Sequence, residues 1–198
     1  MPCRAGRLPA HEKCLFHVFG FDDASFQREH LGNVLAVGAV FAGARLDGVL
    51  SVSVLRDGVN ATERLAECVK GSRFYLQLQA ILLQGIAPAG FNVVDVHALH
   101  ADTGLPVLVV ARRAPDLSAI RKALLDHVPD GARKWKLIER AGPMEPMAGI
   151  HVQRAGLAPT EAERLVRACQ LHGKFPRTLA RGASRRGGVT LGESRQRA

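Results

Sequence analysis

The sequence predicts an α/β domain built on a mixed sheet. Three features predict it. Three apolar, mostly Val-rich runs joined by short links open the chain, and from about residue 60 strand-like and helix-like segments alternate. Of the 198 residues, 47% are hydrophobic and 23% charged, enough apolar material for one sizeable core and too much for a disordered chain. Hairpin-length links pair strands antiparallel, whereas strand–helix–strand units give parallel neighbours, so one sheet is expected to hold both kinds of pairing. The expected organisation is a loosely ordered extension over 1–13, one domain over 14–186 and a basic tail over 187–198.

Cys14–Phe21 is the first strand, a buried run that delivers Asp22 and Asp23 at its end. Val34–Gly43 and Gly48–Leu55 are the next two, with Ala44-Arg45-Leu46-Asp47 as the hairpin link and Asp57-Gly58 as the break. Asn60, with Glu63 three residues on, predicts a capped helix over Ala61–Lys70, and Ser72–Gln79 adds a helical turn. Ala80–Leu83 is short and wholly apolar, as a central strand is, and ends at Gln84-Gly85. Gly90 opens a helical stretch with Phe91, Val94 and Leu99 turned inward, up to Thr103-Gly104. Pro106–Ala111 is another buried strand, where Pro is tolerated at the first position, and Pro115 opens a helix to about His127. Lys136–Arg140 and Ile150–Arg154 are candidate late strands. Pro159–Leu171 is an amphipathic helix with Ala162, Leu165, Val166 and Cys169 on one side, and Phe175–Arg186 continues as a short basic helix.

Several function classes drop out. The longest apolar run, Val34–Ala44, has 11 residues, about half of the roughly 20 that a bilayer span needs, so no membrane partner is expected. Residues 1–13 lack the apolar core of a secretory signal. Cys3, Cys14, Cys68 and Cys169 lie far apart with no CxxC pair, which fits reduced thiols in a cytoplasmic protein rather than a disulfide frame or a zinc site. Charge is more telling. Residues 1–130 hold 13 basic and 13 acidic residues, and residues 131–198 hold 14 basic against 5 acidic, so the whole excess of +9 sits in the last third. Such a block is either a solvated face or a surface for a polyanion, whose neutralisation releases counterions.

Acids at strand ends are the chemically informative residues. Asp22 ends the first strand, Asp57 the third, and Asp95 lies one turn into the helix expected after the Ala80–Leu83 strand. Ligands of α/β sheets gather at the carboxyl ends of strands, and convergent carboxylates there suit Mg²⁺ or Mn²⁺, which prefer oxygen donors. The ordinary alternative is that each Asp is a turn residue or a cap. Gly85 to Gly90 links strand to helix and offers backbone N–H groups to a phosphate, or simply allows a tight turn. Arg73 stands beside Phe74 and Tyr75, and Trp135 among Arg133, Lys134 and Lys136, each set able to stack on a base or to pack the core. Arg112 and Arg113 follow a buried strand and bring basic charge to the acidic edge, as a phosphodiester held over a metal requires.

The segments GFDDASF (20–26), SRFYLQLQAILLQGIAPAGFNVVDVHAL (72–99), TGLPVLVVARRAPD (103–116), HVQRAGL (151–157) and GESRQRA (192–198) resemble the endonuclease dU family, also known as domain of unknown function 99, from about Cys14 onward. That family is similar to endonuclease V, a repair nuclease. The resemblance implies an RNase H-like mixed sheet, three antiparallel strands and then parallel ones, with helices on both faces and a basic C-terminal helical region. It further implies a metal-dependent endonuclease acting on DNA with a deaminated base, uracil by the family's name, with Mg²⁺ or Mn²⁺ as cofactor. Carried over by position, Asp22 takes the role of the metal-binding Asp, Asp57 falls where a second acid is expected, and Arg112 or Arg113 matches a basic residue after the next strand. Where endonuclease V has an Asp before Gly, this chain has Gln84, so Asp95 or Gln84 would complete the metal set. Asp23, Arg73, Gly85, Gly90, Asn92, Arg185 and Arg186 are the expected nucleic-acid contacts. An amide carries no charge to attract a cation, so the competing expectation is a nucleic-acid-binding protein of the same fold without catalysis. A third is a small-molecule enzyme that uses the Gly85–Gly90 turn for a phosphate.

Overall fold

The computed structural model describes residues 17–23, 26, 32–170, 176 and 179. Its strands are β1 (His17–Asp23), β2 (Asn33–Ala42), β3 (Arg45–Leu55), β4 (Ala80–Gln84), β5 (Val107–Ala111), β6 (Glu145–Met147) and β7 (Ile150–Ala155). Its helices are α1 (Ala61–Lys70), α2 (Val96–Thr103), α3 (Leu117–His127), α4 (Gly131–Ala141) and α5 (Pro159–Cys169). Among the described residues these strands form one open sheet in the order β3-β2-β1-β4-β5-β7-β6. β1, β2 and β3 run as an antiparallel meander, β4 and β5 lie parallel to β1, and β7 and β6 return antiparallel. The expected α/β fold with a mixed sheet is therefore present, and its last strands run antiparallel.

Side-chain alternation divides the core in two. On one face Phe19, Phe21, Val40, Val54, Ile81, Leu83 and Val109 pack against Leu65 and Val69 of α1 and Val96 and Leu99 of α2. On the other, Val18, Leu82, Leu108, Val110 and Val152 meet Ala162, Leu165, Val166 and Cys169 of α5, together with Leu179. Burying each such large apolar side chain contributes about 1.5–3 kcal/mol, which is why the central strands carry almost no polar residue. Gly38 of β2 fits the same logic. A Cβ there would stand 2.1 Å from the Phe19 ring, so only hydrogen leaves room for the aromatic layer.

The structure departs from the sequence reading in three places. Gly90 does not start a helix: residues 85–95 form a loop and α2 begins at Val96, capped by Asp95, which accepts from the N–H groups of His97 and Ala98. Lys136–Arg140 is not a strand but part of α4, whose Gly131, Lys134 and Ile138 are buried at helical spacing. Asn60 precedes α1 without capping it through its side chain. Its Oδ1 accepts from Leu55 N–H and from the Asn92 amide, while Asn92 Oδ1 accepts from Ala61 N–H across 31 positions of sequence. The extension over 1–13, the tail over 187–198 and most of the expected basic helix lie outside the described residues. Cys68 and Cys169 are free thiols, and burial pushes Cys169 up to about 12. No helix among the described residues is long and apolar enough to cross a membrane.

Candidate metal and nucleic-acid site

The C-terminal ends of β1 and β4 meet side by side. Phe21 pairs with Leu83 in the parallel ladder, so Asp22 and Gln84, each one residue further, stand on neighbouring strands about 4.8 Å apart and point to the same side. Asp22 is only 5% exposed, which is costly for a carboxylate. Next to it is a cavity of about 10 Å³ lined by Asp22, Gln84, Gly85, Pro88 and Leu65 among others, about the space of one water-sized body. Gln84 is in turn level with Val110 of β5. Arg112 and Arg113, both exposed, therefore follow two and three residues later at the same rim. The sheet thus brings together Asp22, Gln84, Gly85 and the Arg112-Arg113 pair, with Asp23 half-buried as the last residue of β1.

Asp57 and Asp95 do not join them. Asp22 is level with Val37 and Val37 with Ser51, so Asp57 lies two strands away and six residues beyond Ser51. Its carboxylate accepts from Phe91 N–H at 2.8 Å and pairs with Arg56 at 3.1 Å, and its backbone N–H donates to the Ala89 carbonyl. Asp95 caps α2, pairs with Arg140 at 2.9 Å and faces a separate cavity of about 340 Å³ between α1, α2 and α4. Among the described residues no group of three or more His, Cys, Asp or Glu is placed to hold a metal ion. The expected three-carboxylate convergence is thereby corrected: these two acids are spent on a turn and a cap.

What Asp57 does instead is hold the loop after β4. It sits at φ 51°, and Ala89 at φ 53°, both in the region that ordinary side chains avoid. Gly90, at φ 84°, presses against Asp57 so closely that a Cβ would lie 2.4 Å from its Oδ1. Lys134 of α4, 1% exposed, donates its ammonium to the Asp57 carbonyl. Burial holds the Lys134 amine below the ordinary lysine range, opposed by attraction to Asp57 and Asp130. Asn92 is fully buried, its amide donating to Leu55 O and Asn60 Oδ1. It is therefore a tie between β3, α1 and the loop, not the nucleic-acid contact expected of it. Lys134 and Asn92 were not legible as loop supports in the sequence, since nothing local marks a Lys or Asn as buried.

Arg73 lies away from this rim, and Trp135 takes the packing alternative of its two readings. Arg73 lies in the connection that leads into the N-terminal end of β4, the edge opposite Asp22, with its guanidinium 4.8 Å from the Phe74 ring. Trp135 is half-buried against the α3–α4 pair, its indole N–H donating to Glu139. Arg185 and Arg186 lie outside the described residues.

Mg²⁺ is commonly held by one or two carboxylates plus waters and substrate phosphates. Asp22 with the Gln84 amide oxygen fits an ion of that kind, completed by a phosphate, and does not fit a closed all-protein cage. The open mixed sheet, with a buried acid at the carboxyl edge of its first strand and helices on both faces, is an RNase H-like α/β fold. The chain belongs to the endonuclease dU family, whose profile matches residues 15–185. A UPF0215 protein of Deinococcus radiodurans is 57% identical over 180 residues, covering 91% of this chain and 92% of the relative. One from Methanothermobacter thermautotrophicus is 43% identical over 187 residues, 92% of each. A crystal structure of a protein from Archaeoglobus fulgidus superposes with a TM-score of 0.82 at 33% identity, over 88% of this chain and 98% of that one. Ciona intestinalis endonuclease V, in complex with inosine-containing DNA, gives a TM-score of 0.55 at 13% identity, over 85% and 83%, a likeness of fold.

Proposed function

We propose that the protein is a metal-dependent endonuclease that hydrolyses a phosphodiester bond in DNA near a deaminated base, uracil being the base its family name points to. The observation that carries this reading is the buried Asp22 beside Gln84, at the rim where Arg112 and Arg113 emerge. Asp22 supplies the negative charge that draws a divalent ion, and Gln84 adds a neutral oxygen. Such an ion, Mg²⁺ or Mn²⁺, stabilises charge on the phosphate and makes a bound water more acidic. Arg112 and Arg113 hold the scissile phosphate by charge-assisted hydrogen bonds. Gly85, at φ 79° and with open space where a Cβ would be, lets backbone approach the strand. Asp57, Asn92 and Lys134 act through this loop, as positioning residues.

Nicking of a uracil-containing duplex, titrated with Mg²⁺ and Mn²⁺, tests the reading. Cation-dependent cleavage that falls at least about a hundredfold in Asp22→Ala, as loss of a metal ligand or charge stabiliser does, is the expected result. A specific observation favours a second reading: a single carboxylate with an amide is a poor cation trap. Binding indifferent to the cation, no cleavage and no change in Asp22→Ala would mark a nucleic-acid-binding protein without catalysis.

A further inference from the structure

The helical pair α3–α4 stands on a small core of its own. Leu124 and Ile138 meet Val93, with Ile120, Val128 and Trp135 around them and Ile86 and Phe91 of the post-β4 loop beneath. The pair is thus seated on the loop that carries the metal-side wall, and it leaves β5 through Arg112 and Arg113. From 112 to the end of α3 at His127 the sequence has four Arg and Lys residues, Arg112, Arg113, Arg121 and Lys122, against two acids, Asp116 at the helix start and Asp126 in its last turn, a net excess of two positive charges. Asp116 is exposed at the start of α3, where it caps the helix by accepting from Ser118 N–H, Ala119 N–H and the Ser118 hydroxyl. Leu117, Arg121 and Leu125 recur every fourth residue and so share one stripe of α3. The two leucines are 43% and 46% exposed. Arg121 is exposed, with the Trp135 ring 5.9 Å from its guanidinium.

We propose that this outer surface of α3, continuous with Arg112 and Arg113, grips the sugar–phosphate backbone of duplex DNA flanking the cut. Arg121 and Lys122 contact phosphates, while Leu117 and Leu125 lie on the sugars between them. This rests on the reading of Asp22 as part of a nuclease site, but concerns affinity rather than cleavage. A phosphate contact releases counterions, so it appears as a salt slope, about 0.9 in log K against log salt for each contact. An apolar contact lowers affinity without altering that slope.

The test is duplex-DNA binding by the full chain, in Mg²⁺-free buffer, at a series of salt concentrations. Arg121→Gln with Lys122→Gln is expected to reduce the slope by about 1.8, and Leu117→Ser with Leu125→Ser to weaken binding several-fold with the slope intact. Arg45→Gln with Lys70→Gln removes the same charge from the opposite edge of the sheet and should leave the slope unchanged. An unchanged slope in the α3 charge variant, or an equal fall in the control, overturns the proposal, and so does a loss seen only with an RNA duplex of the same sequence. Melting curves verify that each variant folds. Cleavage distinguishes the two readings: cation-dependent nicking with an unchanged slope sinks the α3 surface alone. A wild type that binds no duplex in this buffer sinks the α3 surface, and one that also fails to nick with Mg²⁺ or Mn²⁺ sinks both.

Discussion

In the proposed metal site Gln84 would decide how a cation is treated, because it stands beside Asp22 with the shape of a ligand and none of the charge. Two unit charges 4 Å apart interact by about 4 kcal/mol at an effective dielectric of 20. A second carboxylate next to Asp22 is therefore strained when the site is empty and rewarded when a divalent ion sits between the two. Gln84→Asp should lower the melting temperature in chelator, restore it with Mn²⁺, and tighten Mn²⁺ binding to the protein alone by about tenfold or more. Calorimetry and melting curves would read both effects, and Mn²⁺ binding no tighter than in wild type would remove Gln84 from the metal. Asn92 makes the opposite kind of residue-scale argument. It is fully buried, and its hydrogen bonds to Ala61, Leu55 and Asn60 are at 2.8–3.0 Å. Asn92→Ala leaves the Ala61 N–H and the Leu55 carbonyl without this partner, at about 1–3 kcal/mol per unsatisfied group. Denaturant unfolding should show a loss of about 2–4 kcal/mol; a loss below about 1 kcal/mol would mean that water replaces the amide.

At the scale of elements, what could be read was what periodicity carries. β2, β3, β4, β5 and α5 fall within a few residues of expectation because their apolar patterns are sustained and bounded by Gly, Pro or Asp. α4 is not legible in this way, since its buried stripe runs through Gly131, Lys134 and Ile138, and a glycine and a lysine do not advertise a core. The helix expected from Gly90 starts later because Asp57, Asn92 and three positive-φ residues, Gly85, Ala89 and Gly90, hold 85–95 as a loop, and the two side-chain ties reach in from or out to distant segments. The same blindness applies to the site: the acids at strand ends were visible, but which of them converge depends on register, and register placed Asp22 with Gln84 rather than with Asp57. The α3–α4 pair offers its own test. A Cβ on Gly131 would lie 1.9 Å from the Leu124 carbonyl oxygen, so Gly131→Ala must push the helices apart. An overpacking cost of about 1–3 kcal/mol is expected, with weaker DNA binding if α3 carries the proposed surface. Unaltered stability would show that the helix crossing is looser than this geometry.

Over the whole molecule, charge and core overlap at the C-terminal end. Residues 181–198 hold five arginines and one acid, whereas Leu179, just before them, is fully buried against Val18, Leu82 and α5. Cutting the chain at Arg177 would thus remove a core leucine together with the basic residues, at about 2–5 kcal/mol for the apolar loss alone, and any fall in DNA affinity would be confounded by unfolding. Cutting after Ala180 separates the two. The shorter chain should melt within a few degrees of the full one, because no described core residue is lost, and should bind DNA more weakly with a flatter dependence on salt. Each arginine that neutralises a phosphate accounts for about 0.9 of the slope, so a change near 2 would assign two of the five to the backbone. Equal slopes for the two lengths would assign none, and would leave the acidic–basic rim around Asp22, Arg112 and Arg113 to account for binding without help from the tail.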